Sequence, residues 1–85
     1  MIRLDVRSFA CPMTWVKTRI ALDPLAPGDA LEVLLAEGEP LDSVPRTAEL
    51  EGHRVAARAP APEEGAGSWR VVLVKGAPPA EGLLP

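Results

Sequence analysis

The sequence predicts an α+β fold, a two-layer α/β sandwich of order β-α-β-α-β-β in which a four-stranded mixed sheet carries two helices on one face. Three observations predict it. Residues 2–6 alternate apolar and polar side chains, residues 13–22 follow a proline with helical spacing, and residues 30–36 and 69–75 are apolar or β-branched runs between turn signals. A chain of 85 residues has room for one such domain.

The first half of the chain predicts a strand at residues 2–6, a helix at 13–22 and a strand at 30–36. Pro12 fits the first helical position, where a missing amide hydrogen costs nothing. Spacings of three and four residues give this helix an apolar face, with a second apolar patch beside it. The face consists of Met13, Val16 and Ile20, and the patch of Trp15 and Leu22.

The second half predicts a helix from near Ser43 to Gly52, with Pro45 in its first turn and a thin apolar face of Val44, Ala48 and Leu50. A strand at residues 53–59 and another at 69–75 flank a mobile hairpin loop at 60–68, which is rich in Pro, Gly, Ala and Glu. We expect strands one and two to be parallel, with a right-handed crossover, and the last two to be antiparallel. Residues 1–76 then form a single domain, and residues 77–85 form a disordered tail.

Charge and hydropathy restrict the classes of partner. Twelve acidic and nine basic residues leave a net charge of -3, which disfavours direct binding to nucleic acid. No apolar run approaches the roughly 20 residues that cross a bilayer, and the N-terminus lacks a signal-peptide pattern. We therefore expect a cytoplasmic protein, a monomer or weak dimer, without membrane contact.

Cys11 is the chain's one cysteine, so it cannot form a disulfide within the chain. It precedes Pro12 at the predicted N-cap of the first helix, where backbone amides and the helix dipole favour the thiolate over the thiol. The structural alternative is a buried, inert cysteine. Cys11 and His53 together supply too few ligands for a zinc site, and we expect neither a metal nor a cofactor.

An ordered set of short motifs resembles the TusA/SirA family of sulfur carriers from about residue 2 to residue 76. The set consists of Leu4-Asp5-Val6-Arg7, Cys11-Pro12, Leu22 and Leu25, Pro27-Gly28-Asp29, Val44-Pro45-Arg46, and Gly52-His53.

The resemblance implies the same β-α-β-α-β-β sandwich and a persulfide-carrying nucleophile at Cys11. Members of the family carry a Cys-Pro-x-Pro motif; the first proline corresponds to Pro12, whereas Thr14 replaces the second. Ser8 stands where the family has a glycine. Arg7 and Arg46 are candidate cations that would stabilise the thiolate, although the sequence does not place them near the sulfur.

The resemblance also implies partners. The protein would act as a sulfurtransferase in the sense of a persulfide carrier rather than a free-standing enzyme. A cysteine desulfurase or rhodanese-type protein would donate the sulfur and a second protein would accept it. The pathway that uses the sulfur stays open between tRNA thiolation, cofactor synthesis and sulfur oxidation.

Two alternative functions remain: a non-catalytic adaptor or regulator on the same fold, and a thiol peroxidase or redox sensor, which would lack a resolving cysteine in this chain.

Overall fold

The structure is a computed structural model that describes residues 2–10 and 12–76. Four strands form one sheet: β1 (Ile2–Asp5), β2 (Ala30–Ala36), β3 (Arg54–Pro60) and β4 (Ser68–Val74). Two α-helices, α1 (Met13–Leu22) and α2 (Glu39–Leu50), and a short 3-10 helix at Pro62–Glu64 connect them. The expected α+β fold class is confirmed. The predicted tail at 77–85 lies outside the described residues and stays a prediction.

The strand order is β1-β2-β4-β3. Strands β1 and β2 are parallel, with Leu4 opposite Val33, and β4 is antiparallel to both β2 and β3. The two pairings expected from the connections, parallel for β1 and β2 and antiparallel for β3 and β4, are therefore confirmed. The return of β4 between β2 and β3 makes β2 and β4 the central strands of the sheet.

The core lies between one face of the sheet and the two helices. Alternate residues of the central strands supply most of it, because side chains of a strand point to opposite faces in turn. Its fully buried members are Val6, Leu22, Leu31, Val33, Leu35, Val44, Ala48, Val71 and Leu73.

The opposite face carries a network of ion pairs. Arg3 and Arg70 both contact Glu32, and both also reach Glu64 in the connection between β3 and β4. This connection was expected to be a mobile loop; instead it contains the 3-10 helix, and its carbonyl at Glu64 accepts a hydrogen bond from Arg7. Composition alone did not reveal these tethers, since Arg3 and Arg7 come from the opposite end of the chain.

Helix α2 begins four residues earlier than the predicted Ser43. Gly38 adopts φ +103° at the N-cap and Pro40 sits in the first turn, where proline is tolerated, so the segment that was expected to break the chain starts the helix. Pro45 is consequently inside α2 rather than in its first turn, and cannot donate an amide hydrogen to the Leu41 carbonyl. Arg58 Nη1 lies 3.5 Å from that carbonyl oxygen and partly compensates.

The predicted end of α2 at Gly52 is confirmed. Gly52 adopts φ +96° and donates its amide hydrogen to the Glu49 carbonyl, while the His53 amide donates to the Ala48 carbonyl at 2.9 Å. These two bonds form a Schellman motif, which satisfies the last carbonyls of the helix. Leu50 was expected on the apolar face, but its side chain is 79% exposed.

Candidate functional site

The loop between β1 and α1 holds the candidate nucleophile. Cys11 itself lies outside the described residues, whereas Ser8, Phe9, Ala10 and Pro12 are described and exposed. The Met13 amide donates to the Ala10 carbonyl at 2.8 Å, and this bond closes a turn across the Cys11 position. The chain on both sides of Cys11 is thus at the surface.

Helix α1 begins at Met13, as expected, but Pro12 occupies the N-cap position rather than the first helical position. Its φ of −94° and ψ of 6° are turn values rather than helical ones. The prediction of Cys11 as the N-cap residue is therefore wrong, because Cys11 precedes the N-cap by one residue in the sequence. The helix has no acidic residue in its first turn, and among the described residues no side chain caps it. Nothing negative in that turn offsets the partial positive charge of the helix start.

The buried face of α1 differs from the predicted one. Thr14, Thr18 and Leu22 are its fully buried residues, and Trp15 and Ala21 pack against the core beside them. Thr18 can face an apolar core because a helical threonine hydroxyl can bond a backbone carbonyl one turn earlier, whereas Thr14 Oγ1 has no hydrogen-bond partner among the described residues. Thr18 Oγ1 does this, donating to the Thr14 carbonyl at 2.7 Å.

The predicted apolar face of α1 is instead exposed to solvent. Met13 is 40%, Val16 37% and Ile20 59% exposed, and Phe9 in the preceding loop is 39% exposed. We call Phe9, Met13, Val16 and Ile20 the apolar stripe. Lys17 ties the loop to the helix, with its Nζ 5.4 Å from the centre of the Phe9 ring. Two of its residues, Phe9 and Met13, are each two positions from Cys11 in the sequence.

Arg7 is held by contacts at the end of β1. Its guanidinium donates two hydrogen bonds to the Asp5 carboxylate, at 2.9 and 2.7 Å, and one to Ser68 Oγ at 3.0 Å. The hydrogen bond from Arg7 lowers the pKa of Asp5 to about 2. Arg7 thereby fastens the loop that leads to Cys11 onto the β3–β4 connection, a role that the sequence did not indicate. Its proximity to the sulfur stays a prediction.

Arg46 lies on the surface of α2. It pairs with Asp42 one turn earlier, with Nη2 2.5 Å from Oδ2, and both side chains are 66% exposed. The two residues line a shallow groove between α2 and β3 together with Pro45 and Val55. Whether Arg46 approaches Cys11 stays a prediction.

His53 is half-buried beside the end of β4. Its Nδ1 accepts a hydrogen bond from the Gly76 amide at 3.0 Å, so this nitrogen is unprotonated in the folded protein. Burial, and then the positive charge of Lys75, lower the pKa of His53. These contacts give His53 a structural role at the end of β4. Within residues 2–10 and 12–76, no group of three or more potential ligands is arranged to hold a metal ion.

The fold and this loop define a class: a small α+β protein with an exposed, cysteine-bearing loop at the start of its first helix. The chain matches the family described as sulfurtransferase TusA over residues 2–75. The protein therefore belongs to the TusA family, and the resemblance expected from its motifs is confirmed. Family membership indicates a sulfur carrier.

Three relatives agree with this assignment, and one solved structure has the same fold. Proteins named as proposed sulfur carriers are 31% identical in Archaeoglobus fulgidus, 33% in Thermotoga maritima and 35% in Methanocaldococcus jannaschii. The alignments cover 85%, 82% and 88% of this chain and 78%, 85% and 95% of the relatives. A SirA-like protein from Desulfitobacterium hafniense has the same fold, with a TM-score of 0.74 at 23% identity over 91% of this chain and 100% of the other.

The described residues contain no helix long and apolar enough to span a bilayer. The cytoplasmic location expected from the sequence stays a prediction.

Proposed function

We propose that this protein carries sulfur as a persulfide on Cys11, receiving it from a donor protein and passing it to an acceptor protein. The observation that carries the proposal is the surface position of the chain on both sides of Cys11, at the start of α1, in a member of the TusA family. A group that must meet two different proteins in turn needs access from solvent.

The transfer is a thiol–persulfide exchange. The Cys11 thiolate attacks the terminal sulfur of the donor persulfide, the donor's sulfur–sulfur bond breaks, and the donor cysteine leaves as a thiolate. A new sulfur–sulfur bond forms at Cys11, so no external oxidant or reductant is consumed. The second transfer repeats these steps with the acceptor as nucleophile. A single cysteine suits this role, because a second thiol in the chain would discharge the persulfide as a disulfide.

The start of α1 favours the reactive form of Cys11. A free cysteine with a pKa of about 8.5 is roughly 3% thiolate at pH 7. A helix start contributes about 0.3–1 kcal/mol to an anion nearby, which is somewhat less than one pKa unit. The absence of an acidic residue in the first turn preserves this contribution. The helix therefore raises the thiolate fraction several-fold.

The apolar stripe supports a docking role for α1. A donor protein must bring its persulfide to Cys11, and Phe9 and Met13 lie two residues to either side. The helix carries the cations Lys17 and Arg19 and no acidic residue. We propose that the sulfur donor covers this stripe with an apolar surface that has acidic residues at its edge, because opposite charges guide the encounter.

The proposal is tested by mass spectrometry of the intact protein after incubation with a cysteine desulfurase that has been loaded with persulfide. The parent protein should gain one sulfur atom, removable by dithiothreitol, and Cys11→Ala should gain none. Cys11→Ser serves as a second control of similar size. No gain on the parent with any desulfurase or rhodanese-type donor of the source organism would refute the carrier role.

The exposed stripe also fits a second function, a non-catalytic adaptor that binds a partner through α1. Under this alternative, Cys11→Ala would bind the partner as the parent does and support the partner's activity fully. Reconstitution of sulfur transfer to an acceptor separates the two functions, since only the carrier requires the thiol.

A further inference from the structure

The outer edge of β1 has free backbone groups. Val6, directly after β1, donates its amide hydrogen to the Leu34 carbonyl of β2 at 3.1 Å. Backbone groups of successive strand residues point to opposite edges in turn, so those of Arg3 and Asp5 face away from β2. Within residues 2–10 and 12–76, the amides and carbonyls of these two residues make no hydrogen bond. An open strand edge of this kind is a template for pairing with another strand.

The opposite edge strand, β3, is protected against such pairing. The Ala61 amide donates to the Ser68 carbonyl at 2.8 Å, so the preceding Pro60 directs its nitrogen, which carries no hydrogen, away from β4. A bulge interrupts β3 as well. Proline and bulges are common devices that prevent edge strands from pairing, and β1 contains neither. The two edges of the sheet therefore differ, and β1 is the one that can accept a strand.

The charges of β1 are self-complementary in one antiparallel register. Two copies related by a two-fold axis exchange backbone bonds only through residues that face outward, which are Arg3 and Asp5. Pairing Arg3 with Arg3, or Asp5 with Asp5, puts like charges directly opposite, which is destabilising. Pairing Arg3 of each copy with Asp5 of the other puts opposite charges together twice, because a two-fold interface repeats every contact.

The ion pairs within the chain leave this edge accessible. Arg3 contacts Glu32 on the neighbouring strand β2, and Arg7 contacts Ser68 on β4, so both guanidinium groups reach inward across the sheet. The side chains of Arg3 and Asp5 are nevertheless 47% and 49% exposed. Both residues can therefore meet a second copy without giving up their contacts within the chain.

We propose that two copies of this chain pair antiparallel through β1 and form one continuous sheet of eight strands, four from each copy. Leu4 lies on the two-fold axis, opposite Leu4 of the second copy, and each pair of Arg3 and Asp5 exchanges two backbone hydrogen bonds. A joint of one short strand is small, so the dimer forms at high concentration and dissociates on dilution. The loops that follow β1 leave the joint at opposite ends, and the pairing requires no sulfur chemistry.

The first test introduces single cysteines into the Cys11→Ala chain and follows disulfide formation by intact mass. In the proposed register the β-carbons of the two residues at position 4 are about 4.5–5.5 Å apart, near the distance of a disulfide, whereas those at position 2 are about 13 Å apart. Leu4→Cys should therefore form a covalent dimer about tenfold faster than Ile2→Cys. Random collision would give the reverse order, since Ile2 is 52% exposed and Leu4 is half-buried.

Sedimentation equilibrium of the parent chain under reducing conditions gives a second measurement, which stands if circular dichroism shows Leu4→Cys to be unfolded. The parent should approach twice the monomer mass as its concentration rises. Arg3→Ala removes two cross-strand charge pairs and should raise the dissociation constant about 2- to 30-fold. Arg70→Ala is the matched control and should dimerise as the parent does, because Arg70 contacts the same glutamates, Glu32 and Glu64, from the central strand β4.

Three results would overturn the proposal. A parent chain that stays monomeric up to its solubility limit excludes a second copy and leaves the β1 edge to a strand of a different protein. Crosslinking of Ile2→Cys that is as fast as that of Leu4→Cys, or faster, contradicts the register. An equal change in dimerisation for Arg3→Ala and Arg70→Ala shows that the copies meet at another surface.

Discussion

Replacing Ile20 with serine tests whether the apolar stripe receives the sulfur donor. Full burial of an isoleucine side chain is worth about 1.5–3 kcal/mol. Ile20 is 59% exposed in the free protein, so about 1–2 kcal/mol remains to be gained when a partner covers it. Ile20→Ser should therefore lower kcat/KM for transfer from the donor protein about 5- to 30-fold. Its effect on the free energy of unfolding should be much smaller, because the side chain is largely outside the core.

The assay measures persulfide loading of the protein by a sulfur-loaded cysteine desulfurase at donor concentrations below KM. Leu50→Ser is the matched control, since Leu50 is 79% exposed on α2, is not one of the stripe residues, and has a side chain of the same volume as isoleucine. Leu50→Ser should load at the parental rate. Loading of Ile20→Ser by a small persulfide such as glutathione persulfide should also be parental, because no protein surface is then involved.

Two results would refute this reasoning. Parental transfer from the donor protein to Ile20→Ser would show that the stripe is not covered during the encounter. An equal loss with glutathione persulfide would show that the substitution disturbs Cys11 rather than a docking surface.

Three further predictions concern His53 and Lys75, which lie beside the end of β4. The lowered pKa of His53 means that the unfolded chain binds a proton more readily than the folded protein, so the contribution of His53 to the free energy of unfolding is complete above pH 6.5 and is lost as the pH falls through the folded pKa. The difference in the free energy of unfolding between the parent and His53→Gln, from urea titrations at pH 5–8, should therefore decrease on acidification. A difference that stays constant over this pH range would contradict the prediction. Lys75 Nζ donates to the Leu22 carbonyl at 2.8 Å at the C-terminus of α1, so Lys75→Met should cost about 1–2 kcal/mol of unfolding free energy, whereas Lys17→Met should cost less than about 0.5 kcal/mol. The same Lys75→Met should raise the pKa of His53, read from the imidazole proton signals, because a nearby positive charge is removed.

Much of the fold could be predicted because strands and turns are encoded locally. The strand at residues 30–36 is an apolar run bounded by turn residues, and its predicted bounds agree with Ala30–Ala36. Gly52 ended α2 as expected, since a left-handed conformation at that position suits glycine. The start of α2 was misplaced because Gly38 and Pro40 are turn residues in most contexts, yet here they form the N-cap and first turn.

The candidate site was predicted in part. The start of α1 at Met13 followed from Pro12, although Pro12 rather than Cys11 is the N-cap residue. The tether from Arg7 to Ser68 could not be predicted, because these residues are 61 positions apart and meet only when β4 enters the sheet. The burial of Thr14 could have been suspected from its spacing of four residues from Thr18, but two threonines at this spacing are equally typical of a solvated helix face.

The sequence by itself determined the order of the elements and the pairing directions of the strands, because alternation, proline and glycine act over a few residues. Its ordered set of short motifs also indicated the TusA family. Only the tertiary structure decided which side of α1 meets the sheet. Two sides of that helix carry apolar residues, and the helical period alone does not choose between them. Packing on β2 and α2 buried the side with Thr14, Thr18 and Leu22, and so left Met13, Val16 and Ile20 exposed beside the loop of Cys11.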